Sequence, residues 1–199
     1  MARLTREVII TEKIDGTNAQ VVIAAIGDLT PKEGPCVVAV DAERGWCLLV
    51  GSRTRYITPS DDNFGFAAWC RDHASDLFTL GHGRHYGEWW GSGIQRGYGL
   101  PKGEKRLSLF NTTRWALHGT ELQPGQDVLP PCVGLVPVLY RGLFHEAKVD
   151  NYIEKLRHEG SVAAPGFMDP EGIVVFHTAS NTMFKKTVKK DEQPKSLLR

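Results

Sequence analysis

The chain has 199 residues, enough for one domain with a sizeable core, and its 41% hydrophobic and 24% charged residues are the composition of a globular protein. A formal net charge of +1 excludes a general polyanion binder, so any nucleic-acid affinity has to come from a local patch. The 4 cysteines (Cys36, Cys47, Cys70 and Cys132) lack Cys-x-x-Cys spacing, which argues against a zinc site or a disulfide framework. The first residues carry no apolar leader and no run approaches the ~20 apolar residues of a membrane span, so a soluble cytoplasmic protein is expected, with no membrane partner.

Residues 7 to 26 read as two strands on either side of Lys13-Ile14-Asp15-Gly16. A lysine at a strand end can hold its amine at the mouth of a pocket, and a desolvated amine near other cations deprotonates more readily for nucleophilic attack. Asp15, on the same face by the two-residue period, can orient the amine or hold a sugar or a metal. The alternative is a hairpin with a solvated lysine and a turn-forming Asp-Gly. After a loop over 27–35, 36–41 and 46–50 form a hairpin, followed by the basic stretch Ser52-Arg53-Thr54-Arg55, whose arginines suit a phosphate or ribose.

Asp61-Asp62-Asn63 predicts the cap of a helix of about four turns, its apolar positions running from Phe66 to Leu80 and including a packed His73. His82-x-x-His85 lacks the further ligands of a metal shell. In His85-Tyr86-Gly87-Glu88-Trp89-Trp90-Gly91 a carboxylate sits between aromatics on a short strand, which suits close contact with a sugar hydroxyl. The glycine-dense 91–100 lacks the ending of a P-loop and is expected as a surface loop touching RNA through Arg96 and Tyr98. Lys105 to Asn111 alternates as a strand, but alternation does not say whether Leu109 or Phe110 faces inward. A loop over 119–131, a strand over 133–140 and a helix carrying Val149, Tyr152, Ile153 and Leu156, ended by Gly160, follow. Glu171-Gly172 then opens a β-branched strand, and 181–188 returns antiparallel to it.

These stretches resemble, in order, five motifs of the covalent nucleotidyltransferases, the superfamily of ATP-dependent DNA and RNA ligases and mRNA capping enzymes. Lys13-Ile14-Asp15-Gly16 matches the Lys-x-Asp-Gly motif, Gly51-Ser52-Arg53-Thr54-Arg55 the segment that supplies an arginine to the nucleotide sugar and phosphate, Gly87-Glu88-Trp89 the aromatic-flanked glutamate motif and Glu171-Gly172-Ile173-Val174 the Glu-Gly-apolar-Val motif. Lys185 stands in the fifth motif, which departs from the usual Lys-x-Lys because Lys186 follows directly and Thr187 takes the second place. Gly-Glu-Trp-Trp-Gly, with no OB-fold following, points to the small RNA ligase branch of phage and editing enzymes. The resemblance implies a mixed α+β nucleotidyltransferase domain over residues 1–190, with two antiparallel β-sheets flanked by helices, and a short polar tail over 191–199.

It also implies ATP and Mg²⁺ or Mn²⁺ as cofactors, with Lys13 as the nucleophile that forms lysyl-AMP. Glu171 would act on the metal or the lysine, Lys185 on the α-phosphate, and Phe110 by stacking on the purine. Glu12, Asp15, Gly16, Asn18, Arg53, Glu88 and Lys186 complete the implied nucleotide contacts. The implied partner is nicked or broken RNA, with DNA a second substrate. Arg96, Lys105 and Arg106, the densest basic cluster interleaved with aromatics, are the expected salt-sensitive RNA contact. Two other readings share these residues: a nucleotide- or RNA-binding module without turnover, and a self-adenylylating enzyme that relies on a partner protein for nucleic acid.

Overall fold

In this computed structural model residues 6–117 and 119–189 are described, so the expected polar tail lies outside the described residues. The strands in chain order are β1 (Glu7–Lys13), β2 (Thr17–Ala25), β3 (Val37–Asp41), β4 (Trp46–Gly51), β5 (Tyr56–Ile57), β6 (Gly83–Gly91), β7 (Lys105–Leu109), β8 (Trp115–Ala116), β9 (Asp127–Val128), β10 (Val133–Leu135), β11 (Val138–Leu143), β12 (Gly172–His177) and β13 (Thr182–Thr187). Helices α1 (Phe66–Asp72), α2 (Ala74–Leu77) and α3 (Glu146–Glu159) lie between them.

One sheet has the order β11-β1-β12-β13 and is antiparallel throughout. The larger sheet runs β10-β7-β6-β2-β4-β3, with β5 on β4. The expected pair of antiparallel sheets is present, with two additions: β10 joins β7 in parallel, and β8 and β9 form a separate two-stranded parallel sheet. Val8 and Ile10 of the central strand β1 pack against Ile153 and Leu156 of α3, while Ile9, on the opposite face, is buried along the wall of a cavity.

β1 and β2 do not pair. The chain leaves the smaller sheet at Lys13, crosses over Ile14–Gly16 and enters the larger sheet at Thr17, so the hairpin alternative is overturned. A return crossing splits the strand expected over 133–140. β10 belongs to the larger sheet and β11 to the smaller, with Val136-Pro137 between them, where proline has no N–H for a ladder. The two crossings are tied together, since the Glu12 N–H donates to the Pro137 carbonyl at 2.9 Å.

Each sheet packs its own helices. Leu48, Val50, Trp89 and Leu107 of the larger sheet bury against Phe66, Cys70 and Leu77, and Ile10, Ile173 and Val175 of the smaller against Ile153 and Leu156 of α3. The single helix expected from Phe66 to Leu80 is broken at His73 (φ −110°, ψ 20°) into α1, α2 and a terminal 3-10 turn. Asp62 still serves its first turn, accepting the Ala67 and Ala68 N–H groups at 2.8 and 3.0 Å. Helix α3 ends at Gly160 (φ 84°) as expected. Ile14, Trp90, Tyr98, Val136 and Ala164 form a separate apolar cluster at the crossings.

Candidate active site

The crossing at Ile14–Gly16 brings chemistry from both sheets to one point. Lys13 ends β1 opposite Gly172, so its amine meets Glu171, and the two form an ion pair with side chains only 17% and 2% exposed. Strand alternation sends Glu12 the other way. Its carboxylate accepts the Ser161 hydroxyl at 2.5 Å and the Val162 and Ala163 N–H groups at 2.8 and 2.9 Å. Burial pushes its pKa up against these bonds. Glu12 lines the cavity described below, and its carboxylate fastens the 161–163 turn.

Gly16 lies so close to β6 that a Cβ there would stand 2.4 Å from the Trp89 carbonyl oxygen and 2.8 Å from the Trp90 Cβ. Only glycine admits this approach, and it lets the Gly16 N–H donate to Glu88 at 3.1 Å. Asn18 is the ladder partner of Glu88. Burial raises the Glu88 pKa to about 7, with Lys13 and the Gly16 N–H acting against it and the Glu171 and Asp15 charges adding to it.

Asp15 donates its N–H to the Tyr98 hydroxyl at 2.9 Å and accepts Arg96 Nε at 3.0 Å. Tyr98, expected at the surface, is 1% exposed and sits at φ 52° in the crossing cluster. Arg96, expected on RNA, turns inward and bridges Asp15 to Asp169, reaching the Asp169 carboxylate at 2.8 Å and its carbonyl at 3.0 Å.

Lys13, Asp15, Gly16, Asn18, Arg53, Glu88, Arg96, Phe110, Glu171 and Lys185 all line one cavity of about 1790 Å³ between the sheets. Phe110 is 42% exposed in it while Leu109 is buried at 1%, which answers the question that alternation left open. Lys186 faces away and pairs with Asp150 of α3 at 2.8 Å, correcting its expected nucleotide contact. Lys105 donates to the Phe64 carbonyl at 2.8 Å, and Arg106 pairs with Glu104 and lies 5.6 Å above the Trp90 ring, neither lining the cavity. Lys189 does line it and pairs with Asp169 at 2.6 Å. The signal for Lys189 was the two-residue period from Lys185 through Thr187.

No group of three or more His, Cys, Asp or Glu side chains suited to a metal ion occurs among the described residues. The carboxylates of Glu171, Glu88 and Asp15 line the same cavity, and an ion of the Mg²⁺ type binds through one or two carboxylates and takes its remaining oxygens from phosphate and water.

The RNA ligase family model matches residues 6–190. This chain belongs to the RNA ligase family. Among solved structures it is similar to a lysine-to-alanine variant of Naegleria gruberi RNA ligase with ATP and Mn, at 16% identity and a TM-score of 0.55, covering 94% of this chain and 51% of that one. An apo form of the same organism's RNA ligase gives 18% identity and 0.56 over 94% and 50%, and a form with PPi gives 16% and 0.54 over 94% and 50%. At these identities the similarity shows the nucleotidyltransferase-type fold of the RNA ligases, and the chain spans about half the length of these relatives. No curated protein matches. The RNA ligase motifs read from sequence thus converge on one cavity, although Lys186 turns its side chain elsewhere.

Proposed function

We propose that this chain carries the nucleotidyltransferase domain of an ATP-dependent RNA ligase that acts through a lysyl-AMP intermediate in the cytoplasm. The observation that carries the reading is the Lys13 amine, held against Glu171 at the sheet junction and opening into a cavity with Glu88, Phe110, Arg53 and Lys185. The relatives were solved with ATP and Mn, with AMP and Mn and with PPi, which supports ATP as the nucleotide and a divalent metal beside it.

In the first step the Lys13 amine, its proton lost to water, forms a bond to the α-phosphorus while the bond to the pyrophosphate oxygen breaks and pyrophosphate leaves. Lys185 offsets charge on the phosphate oxygens, and Mg²⁺ or Mn²⁺ held by Glu171 would supply further electrostatic stabilisation there. Phe110 stacks on the adenine, and Glu88 and Arg53 hold the ribose. In the second step an oxygen of an RNA 5′-phosphate takes the adenylyl group and frees Lys13. A 3′-hydroxyl then displaces AMP and seals the strand.

Incubation with Mg²⁺ and α-labelled ATP, followed by a denaturing gel, tests this: label stays on the protein and disappears in Lys13→Ala. Unlabelled wild-type protein would instead favour the binding module. A second reading, a self-adenylylating enzyme that needs a partner for nucleic acid, draws support from the engagement of Lys105 and Arg106 outside the cavity. Label without sealing of nicked RNA or DNA duplexes is its signature.

A further inference from the structure

The cavity holds a cation pair that the adenylyl chemistry above leaves unused. Along β13 and its continuation, Lys185, Thr187 and Lys189 line the cavity, whereas Lys186 is taken by Asp150 on the far face. Lys189 Nζ reaches one oxygen of Asp169 at 2.6 Å, and Arg96 reaches the other at 2.8 Å. A single carboxylate thus bridges two cations at the cavity wall. The pair sits beside the reacting lysine: Arg96 also holds Asp15, two residues from Lys13, and Asp169 is two residues from Glu171, each spacing about 7 Å along extended chain.

We propose that Arg96 and Lys189 form a second phosphate-binding notch in which the Asp169 carboxylate stands in for the phosphate group of a substrate. This rests on the nucleotidyltransferase reading of the cavity. Asp169 and Lys189 are 45% and 66% exposed, and ion pairs that open to water hold weakly, so the carboxylate is readily exchanged. A phosphate group brings more charge and a third acceptor oxygen to the same two donors, and arginine binds it in fork geometry. Two sources present that chemistry here: the pyrophosphate portion of the nucleoside triphosphate, and the 5′-phosphate of the strand to be sealed.

Calorimetric titration separates them, with inorganic pyrophosphate as one probe and a short 5′-phosphorylated RNA against its 5′-hydroxyl twin as the other. If the notch receives the pyrophosphate portion, Lys189→Ala weakens pyrophosphate binding about tenfold, the loss of one charge-assisted hydrogen bond. If it receives the strand end, the same variant erases the preference for the phosphorylated RNA. In either case Lys189→Arg retains binding, Asp169→Asn tightens it by removing the competitor, and Lys186→Ala leaves it as in the wild type. Wild-type protein that binds neither probe, or Lys189→Ala that binds both within about twofold of wild type, overturns the notch. These titrations need no turnover. Failure to form lysyl-AMP with an intact notch sinks only the enzyme reading, and labelled protein indifferent to Lys189→Ala sinks only this one.

Discussion

Glu88 makes the stability of the fold depend on pH in a direction opposite to that of an ion-paired carboxylate. Burial between β2 and β7 raises its pKa from 4.5 to about 7, so the folded chain holds this proton more tightly than the unfolded chain does. The stabilising contribution of that proton is complete below pH ~4.5 and is lost as pH rises through about 7. A shift of this size corresponds to about 3 kcal/mol. Glu88→Gln keeps an acceptor for the Gly16 N–H and cannot ionise. Urea unfolding followed by tryptophan fluorescence, with Trp89 and Trp90 adjacent to the site, gives the stability of both proteins from pH 4.5 to 8. The wild type should lose about 3 kcal/mol relative to Glu88→Gln over that range, and Glu12, also raised by burial, cancels because both proteins carry it. Two curves that stay parallel within about 1 kcal/mol would refute the reasoning, since a solvated Glu88 titrates alike in both states.

Three further outcomes follow from the packing around the crossing. Glu12→Ala removes the acceptor of three hydrogen bonds from the 161–163 turn and should cost roughly 2–4 kcal/mol in chemical denaturation; a loss below about 1 kcal/mol would show that the turn stands without it. Gly16→Ala forces a methyl group against the Trp89 carbonyl and the Glu88 side chain, and should cost about 1–3 kcal/mol with loss of protein labelling; an unchanged melting temperature together with wild-type label would contradict the close approach. Phe110→Ala should change stability by less than about 1 kcal/mol and raise the KM for ATP roughly tenfold, as expected for a ring that stacks on a base. The reverse pattern, lower stability at constant KM, would make Phe110 a packing residue.

The sequence by itself determined what can be read within a few residues: the strands around Lys13, the β3–β4 hairpin, the stripe of α3 and its glycine stop, and the local chemistry around Lys13, Glu88 and Glu171. Period-2 alternation separates two faces without saying which is inward. Tertiary structure alone therefore put Leu109 in the core and Phe110 in the cavity, and brought Asp150 to Lys186. Nor does a strand announce its sheet. Whether β1 and β2 form a hairpin or part into two sheets depends on partners as distant in sequence as β11 and β12, and Pro137 splits an apparently continuous strand for the same reason. Glu12 finds Ser161 and Arg96 finds Asp15 only after the crossings have formed, because a buried charge takes whichever donors or counter-charges the completed packing brings within reach.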